Sequence, residues 1–106
     1  LYNPTAIFVD NNQTMFISDS INYRVMRWVV GEPIGTVVAG GRGSGSTYDR
    51  IGRAFCMFVD SQQNIYLSDN TNHRVTRWNN GNNTISFLVA GGNGAGNTAD
   101  KLNSPW

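Results

Sequence analysis

"SDNTNHRVTRW", from Ser68 to Trp78, repeats with few changes "SDSINYRVMRW", from Ser18 to Trp28. At an offset of 50 residues, 11 of the 30 positions in 1–30 are identical to those in 51–80. Farther along the offset becomes 51, and "TVVAGGRGSGSTYDR" matches "FLVAGGNGAGNTADK" at eight of 15 positions. The extra residue falls in a Gly- and Asn-rich stretch after Trp78, which indicates a solvated loop there. The chain is therefore two copies of one unit, and a period of this length is typical of solenoids and propellers.

Each unit contains four short apolar runs, which are rich in Val, Ile, Phe and Tyr and are separated by Asn, Gly, Asp, Ser and Pro. This pattern predicts strands and turns, and the short connections predict antiparallel hairpins. We assign 1–52 to the first unit, 53–92 to the second, and 93–106 to a crossover that repeats the start of the chain. The expected fold class is all-β, with two four-stranded antiparallel meanders. The predicted strands are 6–10, 14–19, 24–28 and 36–40, followed by 56–60, 64–69, 74–78 and 86–91.

The predicted sheets have two faces that need covering. The third strand alternates, with Arg24, Met26 and Trp28 on one face and Val25 and Arg27 on the other. The first two strands are apolar without alternation, as expected of sheets covered on both faces. A ring of sheets packed face to face, a β-propeller, provides that cover. Two units leave two apolar faces larger than a monomer normally exposes, so we expect the chain to self-associate or to belong to a longer chain.

Three segments of the sequence carry a family resemblance. "NIYLSDNTNHRVTRW", "LVAGGNGAGN" and the C-terminal "NSPW" resemble NHL repeats, and the resemblance covers nearly the whole chain. The pattern departs at Ala54, where the first unit has Pro4 and the C-terminal segment has Pro105. The resemblance implies an NHL-type β-propeller, which usually has six blades. Three copies of a two-blade chain would then close a ring, and a homotrimer is the leading hypothesis.

The two ends of the chain repeat the same part of the unit. "LYNP" at 1–4 and "LNSP" at 102–105 occupy equivalent positions. In a closed ring of copies, the tail of one chain and the head of the next would therefore compete for one docking position.

Polar residues recur in the turn and the third strand of both units. Short Asp and Asn side chains hydrogen-bond nearby backbone amides in turns, and arginine pairs with aspartate or stacks on tryptophan. Because a catalytic group rarely needs a copy in every unit, we assign these residues a structural role in turns and packing. Arginines interleaved with aromatic residues can also bind RNA, which the NHL resemblance permits. The residues are Asp19, Asn22, Arg24, Trp28, Asp69, Asn72, Arg74 and Trp78.

The predicted crossovers and the turns before the third strands should share one face of a ring. That face is our candidate partner-binding surface. The favoured function is a non-catalytic scaffold that binds copies of itself, with a protein or RNA ligand on the ring face of a larger NHL protein as the alternative. Formal net charge is +1, so broad attraction to nucleic acid or to a membrane is not expected. The candidate residues are Tyr23, Arg42, Tyr48, Arg50, Asn72 and His73.

Catalytic and metal chemistry are disfavoured by the residue types present. With one His and one Cys, no Ser/His/Asp or Cys/His arrangement is expected. The glycine-rich stretch 40–47 lacks the Lys and the following helix of a phosphate-binding loop. Peptidyl-amidating lyases with NHL-like propellers, the enzyme alternative, bind metal through several histidines that this chain lacks. We therefore expect no enzyme, no resident metal and no cofactor.

Two repeated aspartates, the single cysteine and two Asn-X-Thr triplets lead to further expectations. Asp10 and Asp60 are expected to accept turn hydrogen bonds, and the alternative is a ring of carboxylates that binds Ca²⁺. Cys56 is expected to be a small buried residue, because its counterpart is Ala6. Asn-X-Thr triplets at Asn12 and Asn82 weakly indicate an extracellular protein.

Overall fold

The computed structural model describes all 106 residues and confirms the all-β class. Every strand lies within two residues of its predicted range. Strands β1 and β5 differ most: each begins two residues earlier than predicted and ends before Asp10 or Asp60, because these carboxylates accept hydrogen bonds in the following turn. The strands are β1 Pro4–Val9, β2 Met15–Asp19, β3 Arg24–Trp28, β4 Thr36–Gly40, β5 Ala54–Val59, β6 Ile65–Asp69, β7 Arg74–Trp78 and β8 Phe87–Gly91.

The strands form two four-stranded antiparallel sheets, each in chain order. Sheet 1 is β1-β2-β3-β4, and sheet 2 is β5-β6-β7-β8. The two registers correspond: Ile17 lies opposite Met26, and Leu67 lies opposite Thr76. Both sheets also carry an irregularity at the same point of the third and fourth strands. The two units of the sequence therefore fold alike.

The core lies between the two sheets. We call the face of each sheet that contacts the other sheet its near face, and the opposite face its far face. Residues paired across strands point to the same face, so the register assigns each side chain to one of them. The near faces meet in one apolar cluster, which includes Phe16, Val25 and Ala39 from sheet 1 and Val59, Ile65, Leu67 and Trp78 from sheet 2, with the partly buried Phe8 and Met57 packed against it.

Polar contacts also join the sheets at the entry to β5. The carbonyl oxygen of Ala54 accepts hydrogen bonds from the hydroxyls of Thr5 and Ser18, each at 2.7 Å. Nearby, the buried Ile51 packs against Gly40, which has a φ of +67°. A residue with a β-carbon would be strained at that φ and would crowd Ile51. No helix in the structure is long and apolar enough to cross a membrane.

Candidate functional site

The turn before β7 is organised by one buried carboxylate. Asp69 is fully buried, and its Oδ1 accepts hydrogen bonds from the backbone N–H groups of Gly52 (3.2 Å) and Asn72 (3.3 Å). Its Oδ2 accepts from Asn72 Nδ2 at 2.9 Å and from Arg74 Nε at 3.1 Å. The charge of a buried aspartate is thereby compensated, as burial requires.

Arg74 and Asn72 also hold the crossover that leads from sheet 1 to sheet 2. Arg74 donates from Nη1 to the carbonyl of Ser46 at 2.7 Å and from Nη2 to the carbonyl of Arg50 at 3.1 Å. Asn72 Nδ2 donates to the carbonyl of Gly45 at 2.9 Å. The guanidinium is therefore almost entirely enclosed, with 5% of the side chain exposed.

The equivalent cluster in sheet 1 lacks a crossover. Asp19 Oδ2 accepts from Asn22 Nδ2 at 2.9 Å and from Arg24 Nε at 2.7 Å, and its Oδ1 accepts from the backbone N–H of Tyr2 at 2.6 Å. No crossover carbonyl contacts Arg24, and 29% of its side chain is exposed. Burial by itself raises the pKa of Asp19, but the hydrogen bonds from Asn22, Tyr2 and Arg24 outweigh it and bring that pKa below its ordinary value.

Four of the six candidate partner-binding residues line two hollows beside the turns and crossovers. Tyr23 and His73 line one hollow, together with Arg53 and Ser104. Tyr48 and Asn72 line a second hollow, beside Arg74. Each hollow includes a turn residue together with a residue of a crossover or of a neighbouring turn.

Several of these six residues are engaged within the chain. Arg42 donates from Nη1 to the carbonyl of Asn83 at 2.5 Å, which ties the crossover to the β7–β8 loop. The carbonyl of Tyr48 accepts from both the backbone N–H (2.6 Å) and the hydroxyl (2.8 Å) of Ser86. His73 Nδ1 accepts from the backbone N–H of Ser104 at 2.9 Å. Arg50 stays exposed, with one long bond of 3.4 Å to the carbonyl of Ser44.

Asp10 and Asp60 organise the turns that follow β1 and β5. Asp10 Oδ1 accepts from the backbone N–H groups of Asn12 and Thr14, each at 2.9 Å, and Asp60 Oδ1 accepts in the same way from Gln62 and Asn64. These bonds, first among them the one from the residue four positions on, lower the pKa of both carboxylates. No group of three or more His, Cys, Asp or Glu side chains is gathered anywhere in the chain.

A contact between the sheets was missed in the sequence. Gln63 Nε2 donates to Asp10 Oδ2 at 3.1 Å, and Gln63 Oε1 accepts from Arg27 Nη1 at 3.4 Å. The identity of Gln13 and Gln63 in the two units was the available signal, but a repeated glutamine does not reveal which neighbour it contacts.

Cys56 corrects one expectation. The thiol is exposed, on the far face of sheet 2 opposite Ser68. Its counterpart Ala6 lies on the near face of sheet 1, where sheet 2 partly covers it. The prediction of a buried cysteine was wrong because no second sheet of this chain packs on the far face of sheet 2, where the C-terminal segment reaches Ser68 but leaves the thiol exposed.

Both far faces expose apolar side chains. On sheet 1, Ile7 is 63% exposed and Val9 is also exposed, and they share the far face with Ile17, Met26 and Trp28. On sheet 2, Phe58 is 58% exposed, and its far face also includes Cys56, Tyr66, Val75, Phe87 and Ala90.

Each far face repeats, position by position, a near face that is buried in the core. Ile7, Val9, Met15, Ile17 and Trp28 on the far face of sheet 1 are equivalent to Met57, Val59, Ile65, Leu67 and Trp78 on the near face of sheet 2. The far face of sheet 2 is likewise equivalent to the near face of sheet 1, with Phe58, Tyr66, Val75 and Ala90 in place of Phe8, Phe16, Val25 and Ala39. The two far faces, which no second sheet of the chain covers, therefore repeat the two halves of its internal interface.

Comparison with known families and curated proteins adds no assignment. No protein-family model matches the chain, and no curated protein matches it.

Proposed function

We propose that this chain is a two-blade unit of an NHL-type β-propeller and that its copies associate into a closed ring, which serves as a non-catalytic scaffold. The far face of sheet 1 of one copy packs on the far face of sheet 2 of the next. The observation that carries the proposal is that these two faces repeat the two halves of the interface already buried between the sheets.

Burial of the exposed apolar side chains stabilises the association of copies. Burying a side chain such as Ile7 or Phe58 contributes roughly 1.5–3 kcal/mol relative to leaving it exposed. The pairing joins two different faces, so it is heterologous and forms either a ring or an open filament, depending on the rotation. Six blades, the number that the NHL resemblance implies, correspond to three copies.

The polar clusters support the same arrangement. Arg24 and Asn22 are equivalent to Arg74 and Asn72, which bind the carbonyls of the crossover 45–50. In the ring, the crossover 96–101 of a neighbouring copy takes that position and completes the cluster around Asp19. The partly exposed guanidinium of Arg24 thus gains further hydrogen-bond partners from the neighbouring copy.

The number of chains per particle in solution tests the proposed self-association. Native mass spectrometry and sedimentation at micromolar concentrations are expected to give three chains per particle. Ile7→Arg places a charge in the interface and is expected to yield monomers, while leaving the fold intact because Ile7 is exposed in the single chain. Asn11→Arg, on the exposed turn of the same hairpin, adds the same charge away from both faces and is the matched control.

Cys56 provides an independent readout. Because the thiol lies on the far face of sheet 2, association should cover it. We expect its reaction with a thiol reagent to slow as the protein concentration rises, and to remain fast in the Ile7→Arg variant. A chain that stays monomeric, with a thiol whose reactivity is independent of concentration, contradicts self-association and leaves further blades of a longer chain as the cover for these faces.

A further inference from the structure

A cleft between the two sheets contains an arginine without a counter-charge. The cleft has a volume of about 240 Å³ and lies between the end of β3 and the β7–β8 loop. Arg27, Gln63 and the loop residues 79–83 line it, and no carboxylate does. The one hydrogen bond from the Arg27 guanidinium is the 3.4 Å contact with Gln63. Within the chain, therefore, no carboxylate lines the cleft beside this charge, and its one hydrogen-bond partner is a neutral amide.

The far face of sheet 2 contains the equivalent arginine. Arg77 is half-buried and forms no hydrogen bond or ion pair, and its guanidinium lies 5.2 Å from the ring centroid of Phe87. The pKa of Asp60, in the turn after β5, is lowered mainly by the hydrogen bond from the backbone N–H of Asn64, and the charge of Arg77 adds to this effect. Nothing in the chain covers Arg77 as the β7–β8 loop covers Arg27.

The loop that would cover Arg77 in the ring is the β3–β4 loop of a second copy. This loop, 29–35, begins with a turn in which the N–H of Glu32 donates to the carbonyl of Val29 at 3.0 Å. The β7–β8 loop begins with the same turn, in which the N–H of Asn82 donates to the carbonyl of Asn79 at 3.0 Å. Glu32 is thus the equivalent of Asn82, a residue that lines the Arg27 cleft. It is also the only glutamate in the sequence and is exposed.

We propose that Glu32 of one copy pairs with Arg77 of the next across the interface between copies, an inference that rests on the proposed self-association. The carboxylate comes from the residue equivalent to Asn82, which lines the same cleft as Arg27 within the chain. Gln13 of the second copy joins it, in the position of Gln63, and hydrogen-bonds to Arg77 and Asp60 of the first copy. The cleft between copies therefore contains an ion pair where the cleft within the chain contains an amide.

The interface between copies therefore differs in its charges from the interface between the two sheets of one chain. Complementary charges across an interface favour the right partner surface and fix its register, whereas like charges brought together are repelled. The ion pair forms only when the β3–β4 loop of one copy meets the far face of sheet 2 of another. It therefore selects the ordered head-to-tail contact over other pairings of the exposed apolar faces.

A charge-reversal cycle tests the pair. The wild type, Glu32→Arg, Arg77→Glu and the double variant are compared by sedimentation over a range of concentrations. We expect each single reversal to weaken association roughly tenfold and the double variant to return to within about threefold of the wild type. Arg53→Glu, alone and with Glu32→Arg, is the matched control, because Arg53 is exposed and its side chain forms no hydrogen bond.

The possible outcomes distinguish a failure of the Glu32–Arg77 pair from a failure of the proposed self-association. Rescue in the Glu32/Arg77 double variant, with none in the Glu32/Arg53 double variant, supports the pair. Additive losses in a wild type that does associate overturn the pair and leave the self-association standing. A wild type that does not associate at all overturns both.

Discussion

The hydroxyl of Ser68 donates a 2.6 Å hydrogen bond to the carbonyl of Pro105. The same bond occurs fifty residues earlier, from Ser18 to the carbonyl of Ala54 at 2.7 Å. The tail segment, Leu102–Trp106, thus docks on sheet 2 as the entry to β5 docks on sheet 1. Leu102 lies against Gly91 as Ile51 lies against Gly40, and Trp106 stacks on Phe55 with ring centroids 4.7 Å apart.

In the proposed ring, this docked C-terminal segment competes with the N-terminal segment of a second copy for the same position on sheet 2. Leu1, in the N-terminal segment, occupies the position equivalent to Leu102 and is exposed in the single chain. Leu102→Ser removes about 1.5 kcal/mol of apolar burial from the tail and is expected to strengthen association roughly tenfold. Leu1→Ser should weaken it by a similar factor. Sedimentation of both variants measures the two shifts, and shifts of the same sign would contradict the competition.

Asp69 is expected to contribute more to stability than its counterpart Asp19. Asp69→Ala leaves the enclosed guanidinium of Arg74 without its counter-charge, at a cost of roughly 3 kcal/mol in the free energy of unfolding. Asp19→Ala should cost roughly half as much, because water can reach the more exposed Arg24. Urea denaturation of the single chain, in the Ile7→Arg background, gives both values. Equal losses would show that exposure of the arginine is not the deciding factor.

Stability should fall in acid because folding lowers the pKa of Asp19 and of the turn residues Asp10 and Asp60. A carboxylate whose pKa is lower in the folded state stabilises the fold at pH values above its unfolded pKa of about 3.9. That contribution is lost as the pH falls below this value and through the folded pKa.

Urea midpoints measured between neutral and acidic pH test this expectation. The midpoint should stay level near neutrality and decline below about pH 4. Asp10→Asn with Asp60→Asn keeps an acceptor oxygen but removes two titrating groups, so its midpoint should decline less. A decline as steep as that of the wild type would show that groups other than Asp10 and Asp60 cause the loss of stability in acid.

Gly40 is expected to tolerate no side chain. Its φ is +67°, and a β-carbon there would collide with the carbonyl of Tyr23 and crowd Ile51. Gly40→Ala should therefore cost roughly 3 kcal/mol, from backbone strain and overpacking together. Gly31→Ala is the control: its φ is +85° but nothing lies within 4 Å, so only the strain of about 1 kcal/mol remains. Thermal denaturation of both variants measures the difference.

Short-range sequence pattern was enough to predict the repeated unit and its local structure. Strands and turns follow from short-range pattern, so the repeated apolar runs predicted all eight strands within two residues, and the Asp and Asn positions predicted turns. The start of β1 at Pro4 was missed, because pairing with β2 extends the strand beyond its apolar run.

Which face of each sheet is covered depends on the packing of the two sheets and could not be read from the repeat. Ala6 and Cys56 occupy the same position of the unit, yet the first is half-buried and the second is exposed. Arg24 and Arg74 differ in the same way. Equivalent positions have the same local pattern, and their surroundings differ only because sheet 1 has a neighbour on one side and sheet 2 on the other. Burial depends on what packs against a residue from a distance in the chain, and a repeated sequence cannot distinguish its own copies.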